Sequence, residues 1–175
     1  MHGSQKEWCD SIKERFPNFF KSTRVLEVGS LNVNGTNRYL FEDADYVGVD
    51  IVKGPGVDVV CKAHQYRIKT QFDVALSTNA LEHDMFWHLT LPQMIRALRH
   101  GGLMFFSCGY SQKPHGIMAR KRHDSGTTQL GGDWSEYYKN LGVMETYAAL
   151  NPERSFGAFM LGKWGRDLRF WGIKR

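Results

Sequence analysis

A carboxylate, a tight turn and a second carboxylate occur at spacings that suit a ligand containing a ribose. The segment VLEVGSLNVNG starts as an apolar run at Val25, carries Glu27 and turns at Gly29. Asp50 stands at the end of the next apolar run, 21 positions after Gly29. Such a turn lets backbone approach a ligand, and a carboxylate ending the following strand accepts hydrogen bonds from ribose hydroxyls. The same residues also fit an ordinary strand-end turn and a solvated aspartate.

The turn itself argues against a dinucleotide. Pyrophosphate at a helix N-terminus favours G-x-G-x-x-G, because glycines let backbone N–H groups converge on the phosphates. Here Gly29 is followed by SLNVNG, in which Leu31 and Val33 would crowd a pyrophosphate. Glu27 would place negative charge beside it. A ligand with a cationic sulfonium, an amine and a ribose but no phosphate fits better, and S-adenosylmethionine is such a ligand.

Alternating strand and helix patterns surround these residues and predict an α/β fold. A helix is expected over 4–16, where Trp8, Ile12 and Phe16 recur at spacing four. Continuous apolar runs are typical of parallel strands covered on both faces. Strands are expected over or within 24–29, 44–52, 54–63, 72–77 and 103–108. The predicted fold is a doubly wound, Rossmann-like sheet of seven strands, mostly parallel, with helices on both faces.

Three further helices are expected. One begins near Gly35, and one covers 84–99 with an interruption at Pro92, where a fresh helix would start. Gly101-Gly102 would end that helix as a left-handed cap. A third helix begins at Asp133.

The chain is expected to form a single domain over 1–175. Its parts would be the N-terminal helix (4–16), a cofactor-binding core (24–108), an active-site loop (109–132) and a C-terminal helix with a hairpin (133–175). The runs SFGAFMLGKW and DLRFWGIKR predict that hairpin, with one antiparallel strand. The loop lacks periodicity, and a loop of that length inside a compact domain is typically functional.

Four ordered motifs resemble the class I S-adenosylmethionine-dependent methyltransferases, and the methyltransferase type 11 group is the best match. VLEVGSLNVNG resembles the first motif, YVGVDI the strand-two motif, FDVALSTNALEH the strand-four motif with its Glu-His pair, and ALRHGGLMFFS the turn into strand five. The resemblance runs over about residues 24 to 110 and includes the terminal hairpin. Two positions depart from it: Leu31 replaces a central glycine, and Cys61-Lys62-Ala63-His64 lacks the acid that usually contacts adenine.

The resemblance implies roles for individual residues around S-adenosylmethionine. Glu27 would lie near the methionine ammonium, Asp50 would hold the ribose, and Ile51 would pack on the adenine. Ala63 and His64 would substitute for the missing acid. The implied cofactor-binding residues are Glu27, Gly29, Ser30, Asp50, Ile51, Ala63, His64, Ser77, Thr78 and Asn79.

Methyl transfer also needs an aligned acceptor and, for a hydroxyl, a group that takes its proton. His83 and His115 are the candidate catalytic residues, although a packed, structural histidine is the alternative for His83. The loop histidines and Asp124 match no standard metal-ligand spacing, so no metal is expected. The candidate substrate-binding residues are Trp87, Tyr110, Arg120 and Arg122.

Charge and composition limit the classes of binding partner that are expected. The net charge is +5 with a pI near 9.2, a small excess for a nucleic-acid-binding protein. A small-molecule acceptor is therefore expected, with an anionic one favoured, and nucleic acid is disfavoured. The sequence contains no run of 18 apolar residues, so no membrane-spanning helix is predicted. The dispersed Cys9, Cys61 and Cys108 indicate free thiols and a cytoplasmic setting, while the oligomeric state stays open.

The predicted function is S-adenosylmethionine-dependent methyl transfer to an oxygen or nitrogen of an unidentified acceptor. A non-catalytic binding module on the same fold is one alternative, because the segment after strand three is unusual. A nicotinamide-dependent oxidoreductase is another, which Asp50 allows and the absent G-x-G-x-x-G disfavours.

Overall fold

The structure is a computed structural model that describes residues 3–118 and 125–175. The strands are β1 (Arg24–Val28), β2 (Asp45–Asp50), β3 (Val59–Val60), β4 (Phe72–Thr78), β5 (Leu98–Gly109), β6 (Phe156–Trp164) and β7 (Asp167–Lys174). The α-helices are α1 (Gly3–Arg15), α2 (Trp87–Ala97), α3 (Gly132–Glu136), α4 (Val143–Leu150) and α5 (Pro152–Ser155). No α-helix in the described ranges has the length and apolar character needed to cross a membrane.

The strands form one seven-stranded sheet in the order β3-β2-β1-β4-β5-β7-β6. β1, β2, β3, β4 and β5 pair in parallel, and β7 runs antiparallel to both β5 and β6. Gly165, at a φ of +61°, lies in the turn between β6 and β7. The predicted doubly wound sheet with one antiparallel strand in a terminal hairpin is confirmed.

Alternate residues of the central strands enter two separate cores. On one face, Val25 of β1 and Leu103 of β5 pack with Trp8 and Ile12 of α1. On the other face, Leu26 of β1 packs in a core that includes residues of α2 and α4. The alternation follows from the pleat of a strand, which points successive side chains to opposite faces. Helices therefore cover both faces, as the apolar runs predict.

The helices between β1 and β5 differ from the prediction in three places. The helix expected after β1 is only a 3-10 turn, Asn37–Leu40. α2 runs through Pro92 without interruption, because the buried Leu91 and Met94 on either side of it compensate the single backbone hydrogen bond that proline removes. Gly101, with a φ of +71°, does not cap α2, which ends at Ala97.

Gly101 instead lies inside β5, where the pairing with β4 is irregular. Leu98 pairs with Phe72 and Leu103 with Val74, so five steps along β5 match two along β4. A bulge of this kind needs a residue with unusual backbone angles, and glycine adopts them at low cost. β5 therefore starts five residues earlier than the apolar run alone suggests.

The helix predicted from Asp133 is short, and a second helix was missed. α3 ends at Glu136, and the chain is not helical again until α4 begins at Val143. The side chain of Glu145 caps the start of α4, since its Oε1 accepts a hydrogen bond from the Gly142 N–H at 2.7 Å.

Candidate active site

A cavity of about 280 Å³ lies at the carboxyl ends of β1, β2 and β4. Ligands of open α/β sheets bind at this edge. The predicted site residues at the cavity wall are Glu27, Gly29, Ser30, Asp50, Ile51, Ala63, Thr78, Asn79, His83 and His115. The structure thus brings together residues that are up to 88 positions apart in the sequence.

The turn after β1 is held by contact with the loop after β4. Gly29 has a φ of +76°, and a Cβ placed on it would lie 2.1 Å from the Cβ of Ala80. Only glycine combines this backbone conformation with so close an approach. The two loops that form the floor of the cavity are therefore in direct contact.

Glu27 is a buried carboxylate at the wall of the cavity. Its Oε1 accepts from Asn37 Nδ2 at 2.6 Å, and its Oε2 accepts from the Tyr46 hydroxyl at 2.8 Å. Asn37 Nδ2 also donates to Thr78 Oγ1 at 2.8 Å, which ties β1 to β4. Burial raises the pKa of Glu27, and the two hydrogen bonds oppose that shift. Each oxygen keeps a further lone pair with which to accept from a ligand.

Asp50 holds the backbone of the turns around it. Its Oδ2 accepts from the Leu31 N–H at 3.0 Å, and its Oδ1 accepts from the N–H groups of Ile51 at 2.7 Å and Val52 at 3.3 Å. Burial raises the pKa of Asp50, and these backbone hydrogen bonds oppose the shift. A carboxylate has about four acceptor positions. One remains here, on Oδ2, so accepting from two hydroxyl groups at once would require one backbone donor to be released.

Leu31, which departs from the family pattern, has a packing role. A Cβ on Gly54 would lie 2.3 Å from Leu31 Cδ1, so the glycine leaves room for the leucine side chain. A Cβ on Gly56 would lie 2.7 Å from the Ser30 carbonyl oxygen. Glycines of the β2–β3 loop thus accommodate the bulk that the β1 turn carries, and Leu31 still lines the cavity.

The wall beyond Asp50 is largely apolar. Ile51, Cys61, Ala63 and Trp134 line it, together with Lys62. No acidic side chain stands in the segment 61–64 after β3, whereas Asp84, which follows the β4 motif, lines the cavity. His64 does not line the cavity, and its ring packs against Phe86 with a centroid distance of 4.5 Å. Of the two residues predicted to replace the missing acid, Ala63 lines the cavity and His64 does not.

Beyond β4 the chain places polar groups at the cavity. Asn79, at a φ of +49°, lines it together with Thr78 and Gln5. Asn79 Nδ2 donates to Gln5 Oε1 at 3.4 Å, so the N-terminal helix closes this side. Ser77 is wholly buried within β4 and does not reach the wall, because successive side chains of a strand point to opposite faces. Ser77 is thereby removed from the predicted cofactor contacts.

Two histidines, a glutamate and a tyrosine gather beside Asn79. The rings of His83 and His115 meet edge to face with their centroids 5.5 Å apart, and Tyr138 lies 5.2 Å and 5.0 Å from them. Glu82 is fully buried, and its Oε1 accepts from the Gly109 N–H at 3.1 Å. Burial raises the pKa of Glu82 to about 7. His83 and His115 face the cavity, whereas Glu82 lies behind its wall.

The described parts of the 109–132 loop contribute to the wall. Gly116, Ser125, Gly126 and Thr127 line the cavity. Gly126 lies so close to Asp50 that a Cβ on it would be 2.9 Å from Asp50 Oδ1. The loop therefore covers the cavity at the end of β2.

The predicted substrate-binding residues that the structure describes lie away from the cavity. Trp87 is a buried core residue of α2, with the Lys139 ammonium over its ring at 4.9 Å, and it is not at the cavity. Tyr110 also lies away from the cavity, with the Lys163 ammonium 5.2 Å from its ring centroid. Apolar aromatic residues at such positions complete a core more often than they bind a ligand. Arg120 and Arg122 lie outside the described residues.

Sequence reasoning missed several residues that shape the site. Asn37 holds Glu27, Gln5 closes the β4 side, and Gly126 covers Asp50. Each comes from a segment without a motif, so only the folded chain reveals it. The one available signal was the glycine content of the 109–132 loop, which indicates close backbone approaches.

Comparison with known proteins supports the fold. No protein-family model and no curated protein sequence matches the chain, so the type 11 assignment stays a prediction. The chain is similar to the crystal structure of Burkholderia thailandensis 1,6-didemethyltoxoflavin-N1-methyltransferase with bound 1,6-didemethyltoxoflavin and S-adenosylhomocysteine. That likeness has a TM-score of 0.66 at 15% identity, over 98% of this chain and 78% of the other.

Two more solved structures share this architecture. N-methyltransferase NodS from Bradyrhizobium japonicum WM9, in complex with S-adenosylhomocysteine, gives a TM-score of 0.60 at 12% identity, over 97% of this chain and 86% of that one. Haemonchus contortus phosphoethanolamine N-methyltransferase 2 in complex with S-adenosylmethionine gives 0.60 at 18% identity, over 89% of this chain and 38% of that one. The chain therefore has the fold of the class I S-adenosylmethionine-dependent methyltransferases.

Proposed function

We propose that this chain is an S-adenosylmethionine-dependent methyltransferase that acts on an oxygen or nitrogen of a small acceptor. The observation that carries the proposal is the pair of carboxylates at one cavity, the buried Glu27 and the partly buried Asp50, beside a turn in which Leu31 and Val33 would crowd a pyrophosphate. Similar structures crystallised with S-adenosylmethionine or S-adenosylhomocysteine lend it independent support.

The residues present fit the chemical groups of this cofactor. Glu27 has acceptor capacity left for an ammonium, and a buried carboxylate gains from a cationic partner. Asp50 Oδ2 accepts from the Leu31 N–H and has one acceptor position left, which would take a ribose hydroxyl. Ile51, Ala63 and Trp134 provide apolar surface for a purine. When bound, the cofactor supplies a methyl group on a positively charged sulfur.

The protein's own contribution to the chemistry lies at the β4 side. We place the methyl group and the acceptor beside Thr78 and Asn79, which line the cavity together with His83 and His115. We assign these two histidines to activation of the acceptor's nucleophilic atom. Holding both partners in a cavity and excluding water is itself worth a large part of the rate. An anionic acceptor is proposed from the net charge of +5.

A thermal-shift panel tests the proposal. A ligand at a hundred times its dissociation constant stabilises the folded state by about 2.7 kcal/mol, which for a chain of this length raises the melting temperature by roughly 5–10 °C. We expect that rise with S-adenosylmethionine and S-adenosylhomocysteine, and none with NADH. The reverse pattern would favour an oxidoreductase, and no shift with any of the three would contradict the proposal.

Single substitutions test whether the cofactor binds in the cavity beside Asp50. Asp50→Ala is expected to abolish the shift caused by S-adenosylhomocysteine. Asp43→Asn is the matched control, because Asp43 is exposed, lies off the cavity and has a positive φ of 52° that asparagine tolerates. An equal shift in Asp50→Ala and wild type would place the ligand elsewhere.

A further inference from the structure

We propose that Glu82, His83 and His115 bind a divalent transition-metal ion such as Zn²⁺ at the wall of the cavity, and that the methyl acceptor is a hydroxyl compound whose oxygen also coordinates that ion. The metal site rests on the residues alone. The acceptor class rests in addition on the proposed methyl transfer.

The three side chains already converge. One ligand atom from each lies within 4.8 Å of the other two. Zinc binds histidine nitrogen and carboxylate oxygen at about 2.0–2.2 Å, which puts ligand atoms roughly 3–4 Å from one another. A closure of about an ångström by side-chain rotation therefore completes the site.

Glu82 presents a buried oxygen that needs a partner. The side chain is fully buried, Oε1 accepts from the Gly109 N–H, and Oε2 has no hydrogen-bond partner among the residues that the structure describes. Leaving a buried carboxylate oxygen unpaired is costly. A cation between Glu82 and the two imidazoles removes that cost.

His115 has the hydrogen bond expected of a metal ligand. Its Nδ1 lies 3.2 Å from the Lys113 carbonyl oxygen, and since a carbonyl only accepts, Nδ1 donates. The neutral ring then carries its free lone pair on Nε2. A backbone carbonyl that fixes the tautomer in this way is typical of metal-binding histidines.

The surroundings keep space beside His83. A Cβ on Gly116 would lie 3.1 Å from His83 Cε1 and 3.4 Å from its Nε2, so a larger residue would press on the ring. The Tyr138 hydroxyl is buried without a partner in the described part of the chain, and the Tyr138 ring packs against both histidine rings. Sequence spacing hid this site because Glu82-His83 and His115 belong to separate segments.

The ligand set indicates the kind of ion and its task. Two imidazoles and one carboxylate favour zinc or a neighbouring transition metal over Mg²⁺ or Ca²⁺, which prefer oxygen ligands. Three protein ligands leave a position open toward the cavity, as in catalytic sites. An ion there lowers the pKa of a coordinated hydroxyl.

The resulting step balances. The acceptor hydroxyl loses its proton to solvent, and its oxygen forms a bond to the methyl carbon. The carbon–sulfur bond breaks at the same time, and its electron pair stays on sulfur as a neutral thioether. Neither the ion nor the protein changes oxidation state.

Cobalt titration of the metal-stripped full chain tests the metal site. We expect one equivalent of Co²⁺ to give visible absorption bands, and Zn²⁺ to displace them. His115→Ala is expected to bind at least tenfold more weakly, and Glu82→Gln likewise. His88→Ala is the matched control, because His88 is exposed on α2 away from the cavity. Absence of saturable binding, or equal affinity in wild type and His115→Ala, would overturn the proposal.

The same samples separate this proposal from the proposed function. S-adenosylhomocysteine binding, followed by its thermal shift, is expected to persist in His115→Ala and after metal removal. Cofactor binding without cobalt binding would reject the metal site and leave methyl transfer standing. Cobalt binding without cofactor binding would support the metal site and contradict the proposed methyl transfer.

Discussion

Glu27 is the residue whose position is hardest to explain without a ligand. Folding buries its carboxylate and raises its pKa, and the donors Asn37 and Tyr46 offset that cost in part. A cationic amine in the cavity would offset the rest. Under the proposed function, the residue whose burial is costly in the ligand-free protein would be the one that binds the ligand's positive charge.

Glu27→Gln separates these two effects. Because the folded-state pKa of Glu27 is raised above its ordinary value of 4.5, its contribution to stability is present below that pH and is lost as pH rises through the folded-state value. Glutamine has no such loss. The unfolding free energy of the variant relative to wild type is therefore expected to increase from pH 4 to 8, as measured by denaturant unfolding.

The same substitution is expected to weaken S-adenosylhomocysteine binding by roughly ten- to hundredfold, since a charged hydrogen bond is lost. Parallel pH profiles of stability for variant and wild type would refute the stability part. Unchanged affinity would refute the assignment of the ammonium to Glu27.

The turns after β1 and β4 both line the cavity, and they contact each other at Gly29 and Ala80. Gly29→Ala adds a Cβ 2.1 Å from that of Ala80, in addition to strain at a φ of +76°. Gly131→Ala is the matched control, with a φ of +68° and no atom within 4 Å of the added Cβ. We expect a loss of roughly 1–3 kcal/mol for the control, because a φ of +68° with a ψ of −172° is a conformation that side chains strongly disfavour, and a larger loss for Gly29→Ala, which adds the clash to the strain.

A second change shows whether the contact is the cause. Gly29→Ala combined with Ala80→Gly removes the clash and retains the strain. Its stability is expected to recover toward the value predicted from the control, with thermal or denaturant unfolding as the measurement. No recovery in the double variant would mean that the loops are not coupled through this contact.

The loop segment Gly126–Gln129 is a second element that governs the cavity, because it covers Asp50. Gly126→Ala would push it away from Asp50 Oδ1 and Val52. We expect about tenfold weaker S-adenosylhomocysteine binding by calorimetry, with little change in stability. Leu130→Ala, at an exposed neighbouring position, controls for general effects in this loop. Equal affinity in the two variants would show that the segment does not shape the bound state.

Across the whole molecule, the sequence predicts the architecture better than the site. The apolar runs predict the sheet directly, because strands that are buried on both faces need apolar residues on both faces. The position of Asp50 at the cavity follows from its spacing to Gly29. By contrast, Asn37 beside Glu27 and Glu82 beside His115 are contacts between distant segments that no local pattern encodes. Pro92 misled the helix prediction because packing of α2 outweighs a local propensity.

We propose that one cavity, with Glu27 and Asp50 in its wall, binds the methyl donor. Calorimetric titration of the full chain with S-adenosylhomocysteine tests it most directly. We expect saturable 1:1 binding to wild type and to Asp43→Asn, and none detectable to Asp50→Ala. Binding that is absent in wild type, or equally strong in Asp50→Ala, would contradict it.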